Sequence, residues 1–575
     1  MEKKWHIMQP DIESIQNIKK ILNCDHIMAA LLANRNIISK KNITNFFHAS
    51  IGSIRKPFLL KDMDSAVKRI HAAIINNEKI LVFGDFDTDG ITATAILVEF
   101  LSYTGARVSY HIPHRIKEGY SIQPFHISDS LLPDNTNLII TVDCGSSSHD
   151  AVEAANKAGI DVIITDHHNI SDKIPEAYAV INPRQNDCLT GVDDLAGVGV
   201  AFYLIISLRK HLRDMQFWQE KPEPNLKKIC DLIALGTIAD MVPLVEENRI
   251  LIRTGIEIIN SNRRPGIKAL CNLCGIKNFS LDGEDIAFKL APLLNASGRM
   301  AHAKVAVELL LTKDNRTAGK IAKTLIDMNL ERRVIEQRTF DEITDFLKKN
   351  QHILKLKALI LSDNRAENGW HPGVIGIVAA RLVKKYHKPV ILIAVTNGIG
   401  KGSGRSIHGY NIYEGLSTCS NLLEGFGGHS MAAGLTIKAD RIPAFHQSFE
   451  DSVLKMTKAE DLIPVIFIDC ELGFDDITET LLNNIEKLKP FGTANKEPLF
   501  MAKNIKVSSS KIVGGRHRRM LVTQQGVKTD KLINAIQFNI DINKPMQNHY
   551  ERMAFHIKWN RWNGSKTMQI IVEEM

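Results

Sequence analysis

From about Lys79 to Leu204, short apolar runs alternate with amphipathic stretches. Ile80–Gly84, Leu138–Val142 and Val162–Thr165 are apolar at successive positions rather than at every second one, which predicts strands buried on both faces. Ile91–Tyr103 and Asp150–Ala158 carry the spacing of helices lying between them. This alternation predicts a parallel sheet with helices on both faces. Arg316–Lys349 has no proline and a single glycine, Gly319, and its Ile321, Leu325, Met328, Ile335, Ile343 and Leu347 fall near helical spacing. One long helix bridging two lobes is expected there. A second α/β region, about Leu354–Lys455, contains the strand-like runs ALILS and VILIAV and two glycine-rich segments that read as loops. Beyond Ile463 the pattern becomes short strands and turns, with little helix after Lys489, which suits a small β-barrel. The expected division is an N-terminal segment 1–50, a parallel-sheet domain 51–310, a connecting helix 311–352, a smaller α/β domain 353–460 and a barrel 461–575.

Composition adds constraints on partner and compartment. A chain of 575 residues exceeds one ordinary core, and 44% hydrophobic with 24% charged residues is typical of a globular protein. The net charge is +8, and residues 501–575 alone hold 13 Lys and Arg against 5 Asp and Glu, so the last 75 residues carry the whole excess. A basic terminal module points to an anionic partner, nucleic acid first; the competing reading is a solvated basic face. The N-terminal MEKKWHIMQPDIESIQ has no apolar core of signal-peptide length and no window approaches the uninterrupted apolar length of a membrane span, so no membrane partner is expected. Eight cysteines are scattered, with one C-x-x-C at Cys271 and Cys274, which reads as reduced structural thiols. A cytoplasmic protein is expected.

The chemistry is concentrated at the predicted strand ends. The first strand runs into Gly84-Asp85-Phe86-Asp87-Thr88-Asp89-Gly90, and three carboxylates at alternate positions make physical sense around divalent cations. A calcium loop of this kind needs a later Glu that Ile-Thr-Ala-Thr-Ala does not supply. The second strand ends at Asp143, the third at Asp166-His167-His168, and a further acid, Asp240, lies in LGTIADMVPL. Any one such Asp could be a helix cap. Four places in order, at the edge where open α/β sheets bind ligands, point to a metal centre, and mixed carboxylate and imidazole donors suit Mn²⁺, or Mg²⁺ with waters. No G-x-x-x-x-G-K-[ST] occurs, so no nucleotide cofactor is expected.

GDFDTDG, VDCGSS, ITDHH and GTIADMVPL, in that order, resemble the four motifs of the DHH phosphoesterase superfamily. LAGVGVAF, LNASGRM, HPGVIGIVAARL, GSGRSI, GFGGHSMAAG and LKPFGTANKEPLF extend the resemblance, over nearly the whole chain, to the RecJ family of single-strand-specific exonucleases. Phe83 stands where some relatives have a histidine. The resemblance implies a DHH domain, a DHH-associated substrate-binding domain and an OB-fold barrel. It also implies a two-metal hydrolase in which Asp85, Asp87, Asp89, Asp143, His167 and Asp240 hold two Mn²⁺ or Mg²⁺ ions, with Asp143 bridging. His168 is then a phosphate-contacting or proton-donating group, or a histidine orienting a ligand. Arg115, Tyr120, Asn295 and Arg299 on the first lobe, and Ser403, Arg405, Gly428 and His429 on the second, match positions along the strand's path. The bland reading of Arg115 and Arg299 is a surface ion pair.

In the barrel, Arg516, Arg518 and Arg519, with Phe538, Tyr550, Phe555, Trp559 and Trp562, supply the basic and aromatic groups of single-strand binding, although each aromatic alone reads as core. The function implied is 5′-to-3′ hydrolysis of single-stranded DNA to mononucleotides in recombination and repair, alongside a single-strand-binding protein and a helicase. Two rivals are a DHH phosphodiesterase of short oligonucleotides or cyclic dinucleotides, and a non-catalytic DNA-binding relative. The long helix and basic barrel speak against the first, the intact acids against the second.

Overall fold

The computed structural model describes residues 3–128, 135–170, 173–188, 190–261, 264–276, 280–365, 369–527, 531–542, 545–562 and 565–575, the side chains of residues 561, 562 and 565 aside. The chain forms two compact units. The first comprises residues 55–242 and 251–464, and the second 3–54, 243–250 and 465–575.

The first unit holds two sheets. Strands β1 (Lys79–Gly84), β2 (Arg107–His111), β3 (Thr136–Val142), β4 (Asp161–Thr165) and β5 (Ala179–Ile181) form a fully parallel sheet in the order β2-β1-β3-β4-β5. β1, β3 and β4 are buried along nearly their whole length, which is why they read as continuous apolar runs. The two outer strands escape the sequence pattern: β2 is only half-buried and polar, and β5 is three residues long. Helices α1 (Thr88–Thr104), α2 (His149–Lys157) and α3 (Gly197–Asp214) pack on this sheet, and α4 (Cys230–Ala239) and α5 (Ala291–Met300) pack in turn on α1.

Helix α6 runs unbroken from Asn315 to Lys349, about 52 Å of α-helix. Its buried stripe passes through Ala318, Ala322, Leu325, Asn329, Arg332, Thr339, Ile343 and Leu347, so polar groups join its middle, where Met328 and Ile335 are half-buried. Arg332 is satisfied there by Asn329 and Glu336.

The second sheet contains β6 (Leu359–Asp363), β7 (Val390–Thr396), β8 (Ile399–Arg405), β9 (Gly425–His429) and β10 (Ala432–Lys438) in the order β9-β10-β8-β7-β6. Helix α7 (Ile375–Tyr386) packs on it. The glycine-rich segments read as loops are therefore strands. β8 pairs with β7 on one side and β10 on the other, so its backbone N–H groups belong to the ladders and do not cradle an anion. Its glycines serve packing: a Cβ at Gly402 or Gly404 would lie 2.6 Å from Leu435 or 2.5 Å from Ile412. The alternate positions, Lys401, Ser403 and Arg405, occupy the opposite face.

In the second unit, β11 (Phe500–Val513), β12 (His517–Gln524), β13 (Ile533–Gln537), β14 (His549–Trp562) and β15 (Ser565–Glu574) close into a five-stranded barrel through a β11–β14 pairing. Two of these strands have 14 residues and are not short. Residues 12–48 form three helices whose Ile15, Ile18, Leu31, Leu32 and Ile43 share one core with Phe500, Val522 and Phe555 of the barrel. The N-terminal segment thus completes the barrel's interior.

Arg518 corrects the sequence reading. It follows the inward register of Met520 and Val522 and is buried, donating to Tyr550 Oη (2.7 Å) and the Gln547 carbonyl (2.9 Å). It is a structural residue, and the barrel's aromatics divide likewise. Phe555 is core, Tyr550 and Trp559 are half-buried, and Phe538 is exposed against His517; the Trp562 side chain lies outside the described residues. Arg516 and Arg519 are exposed. Replacing Arg518 by Ala empties a buried position and removes its bonds to the half-buried Tyr550 hydroxyl and the Gln547 carbonyl, and should cost about 2 kcal/mol. Arg519→Ala should leave stability unchanged, and urea unfolding of the two variants checks this.

Candidate metal centre

The parallel strands deliver their C-terminal residues to one edge. Asp85 directly follows β1 and is buried. Asp87 is the N-cap of α1, its Oδ1 accepting from the Asp89 and Gly90 amides at 2.9 and 3.2 Å, so the cap reading is correct for this residue while its carboxylate also joins the cluster. Asp89 accepts from the Gly197 and Val198 amides at 2.6 and 2.9 Å, which seats the N-terminus of α3 beside it. Asp143 follows β3 with φ of 61°, a left-handed conformation costly for a residue with a Cβ and one that turns its carboxylate back over the sheet edge. A Cβ on Gly197 would lie 2.5 Å from Asp143 Oδ1, so glycine is what admits that carboxylate. Asp240 caps the C-terminal end of α4.

Donor atoms of Asp85, Asp87 and Asp143 lie within 4.8 Å of one another, and so do those of Asp89, His167 and Asp240. His167 Nε2 lies 3.2 Å from Asp143 Oδ1, 3.6 Å from Asp240 Oδ2 and 3.9 Å from Asp89 Oδ2. Asp85 Oδ1, Asp143 Oδ1 and both His167 nitrogens are buried without a hydrogen-bond partner. Converging buried donors left unsatisfied by the protein are the arrangement a cation completes. Burial, and then the neighbouring carboxylates, hold Asp85, Asp143 and Asp240 well above the usual carboxylate range and Asp89 at about 7. Burial, and then His168, push His167 down to about 3, leaving its imidazole neutral and able to ligate. Phe83 is fully buried, stacked on His111 and edge-on to His126, and offers no donor.

His168 is positioned differently. Its Nδ1 lies 2.7 Å from Asp166 Oδ1. Asp166 also accepts from the backbone amides of Ser146, His167 and His168. Burial opposes charge on His168, yet the Asp166 carboxylate outweighs it and raises the imidazole to about 9. Asp166 is itself held well below the carboxylate range, its burial overcome by His168 and these donors. The sequence placed Asp166 at the end of the third strand but assigned it no role, although its place immediately before two histidines was the available signal. Asn182, which donates to the His168 carbonyl and Ser146 Oγ at 2.9 Å, gave no such signal.

Around this centre lie the predicted contact residues. Arg115 places its guanidinium 4.6 Å from the Phe86 ring centroid, and Tyr120 Oη lies 3.2 Å from His168 Nδ1. Asn295 Oδ1 accepts from the Thr88 amide at 2.9 Å, tying α5 to the carboxylate loop. Arg299 donates to the Gly373 carbonyl at 3.1 Å, and Arg405 to Ser403 Oγ at 3.2 Å and the Gly404 carbonyl at 2.7 Å. Among the described residues, none of Arg115, Arg299 and Arg405 forms a salt bridge. Burial, and then the other guanidiniums, lower Arg299 to about 9 and Arg405 to about 10. Three crowded guanidiniums, none in a salt bridge although Asp85 and Asp87 lie near enough to act on Arg115, make a site for an anion. The imidazole of His429, on the edge strand β9 after Gly428, stacks on His168 with centroids 5.6 Å apart. Arg516, Arg518 and Arg519 belong to the barrel.

A further cluster, His111, Glu118 and His126, has metal-like spacing. Here Nδ1 of His126 accepts from the Gln123 amide, so Nε2 carries the proton and donates to Glu118. The cluster is a hydrogen-bonded staple for the loop bearing Arg115 and Tyr120.

The chain is similar to known proteins. Residues 79–237 match the DHH family, N-terminal domain, residues 354–455 the DHHA1 domain, and residues 468–574 the RecJ OB domain. The single-stranded-DNA-specific exonuclease RecJ of Bacillus subtilis is 34% identical over 99% of this chain and 70% of its own length. That of Dickeya dadantii is 38% identical over 90% of this chain and 91% of its own. The crystal structure of RecJ in complex with Mn²⁺ from Thermus thermophilus superposes with a TM-score of 0.83 at 26% identity, covering 99% of this chain and 79% of that one. The chain carrying this carboxylate and histidine centre belongs to the RecJ family of single-stranded-DNA-specific exonucleases.

Proposed function

We propose that this chain hydrolyses single-stranded DNA from its 5′ end to mononucleotides, using two divalent cations, Mn²⁺ or Mg²⁺. They would be held by Asp85, Asp87, Asp89, Asp143, His167 and Asp240. The observation that carries this reading is the convergence of these donors, several of them buried and unsatisfied. When bound, such cations lower the pKa of a water and offset charge on the phosphodiester. Asp143 is the bridging candidate, since its carboxylate groups both with Asp85 and Asp87 and with His167.

The protein's own groups do the rest. His168, kept protonated by Asp166, can donate a hydrogen bond to a phosphate oxygen or a proton to the departing one. Arg115, Arg299 and Arg405 bind the phosphate with Ser403, and the three guanidiniums gain most from an anion because they repel one another without it. Asn295 and the Asp87 cap hold the carboxylate loop in place. Arg516, Arg519 and Phe538 on the barrel surface provide a grip on longer strands, by charge and by stacking. The 5′ polarity is carried over from the family resemblance. We place the enzyme in the cytoplasm beside a single-strand-binding protein and a helicase, where its eight free cysteines would remain reduced. Among the described residues, no helix is long and apolar enough to cross a membrane.

Strands labelled at either end, offered with Mn²⁺ alongside a duplex and a dinucleotide, test the reading. Rapid release of the 5′ label as mononucleotide from the single strand supports it, and cleavage of the dinucleotide alone overturns it. Asp143→Asn removes one of the mutually repelling charges. It should abolish turnover, stabilise the cation-free protein and reduce the rise in melting temperature on adding Mn²⁺. In wild type that rise reflects about 2.7 kcal/mol at a hundred-fold excess over Kd. Arg405→Ala should weaken substrate binding by about 1.5–3 kcal/mol with metal content unchanged, read by titration and elemental analysis. Removing the barrel would bare the helices of residues 12–48, so surface substitution is the sounder experiment. Arg516→Ala and Arg519→Ala should each reduce the slope of log affinity against log salt by about 0.7.

A further inference from the structure

Phe288 is 73% exposed, a value matched only by Met241 among the exposed large apolar side chains described. It lies in a single π-helical turn, Ile286–Leu290, that runs directly into α5. Such turns are uncommon and concentrate at functional sites. The burial pattern gives the ring a direction. Ile286, Leu290, Leu293, Leu294 and Ser297 are buried, while Phe288, Pro292, Asn295 and Arg299 retain solvent access at intervals of four, three and four residues. These four residues therefore line one side of a continuous helical element.

The inner end of that side is at the metal centre. Thr88, between Asp87 and Asp89, donates its amide to Asn295 Oδ1 at 2.9 Å and its hydroxyl to the Ala291 carbonyl at 3.3 Å. Arg299, one turn further, feels Arg115, Arg405 and Asp87. Phe288 lies seven residues before Asn295, about 10 Å along the helix axis. The π turn also packs against α4, whose cap is Asp240, so the ring is carried on a rigid element rather than a loop.

We infer that Phe288 is a base-stacking residue, a platform for a nucleobase of the single strand whose terminal phosphodiester lies at the metal centre; this rests on the function proposed above. A phenyl face accepts any base and adds no sequence preference. At the 3.4 Å spacing of stacked nucleotides, 10 Å places the contact roughly two or three nucleotides from the scissile bond.

The test uses the full chain carrying Asp143→Asn, so that strands bind without being cut, with ten-nucleotide strands bearing 2-aminopurine at each of the first six positions from the 5′ end. One position, near the second to fourth, should show quenching that is lost in Phe288→Ala and retained in Phe288→Trp. Affinity for the ten-nucleotide strand should fall roughly ten-fold in Phe288→Ala, and its advantage over a dinucleotide should shrink. Equal losses on both substrates, or an unchanged quenching profile, overturn the assignment. So does a change of oligomeric state with DNA affinity intact, which would give the ring to a second copy of the chain. If the wild type cleaves single strands normally while these signals are absent, only the Phe288 assignment fails. If it neither binds nor cleaves them, the function fails with it.

Discussion

Asp85, Asp89 and Asp143 stand together out of water at one edge of a parallel sheet, with the half-buried Asp240 beside them, and neighbouring carboxylates make each harder to ionise. Charges of one sign in such a space are a standing cost to the fold, which a cation removes. Much of the surrounding structure can be understood as what holds them there. The Gly197 and Val198 amides grip Asp89, the Asp87 cap closes the loop, and the left-handed backbone at Asp143 turns its carboxylate inward. Preorganisation of this sort is bought with strain and repulsion, and it leaves little for a bound cation to rearrange.

The opposite sign is handled in the same way. Among the described residues, Arg115, Arg299 and Arg405 are crowded without salt bridges, and His168 is kept cationic by a buried Asp166 that four donors hold ionised. A phosphodiester would meet unsatisfied positive groups on one side and a cation-binding acidic cluster on the other. The charge distribution favours phosphate transfer chemistry over recognition of a neutral ligand.

The barrel unit separates structure from recognition within one stretch of sequence. Arg518 turns inward with Met520 and Val522, while Arg516 and Arg519 remain outside. The excess charge of the C-terminal region is therefore not all available to a partner. The helices of residues 12–48 fill the same interior, so the two ends of the chain form one folded body.

The sequence by itself determined the parallel sheet, the long helix and the acids at the strand ends, because each depends on local information. Strands buried on both faces must be apolar throughout, a 35-residue helix must avoid proline, and a carboxylate following a strand lies at the sheet's edge wherever that strand is placed. Arg518 was misread as a binding group although its alternation with Met520 and Val522 puts it inside. Other features depended on which segments meet. Whether a glycine-rich run is a loop or a strand depends on neighbours to either side, and β8 has both β7 and β10. That Asp166 serves His168 while His167 faces the carboxylates is set by side-chain direction at the end of β4, which adjacent letters do not encode. The middle of α6 tolerates Asn329 and Arg332 because Glu336 satisfies the guanidinium one turn away, and the stacking of His429 on His168 joins residues more than 250 positions apart. Only the tertiary structure decided these, because satisfying a buried polar group or a charge requires a partner that chain order does not supply.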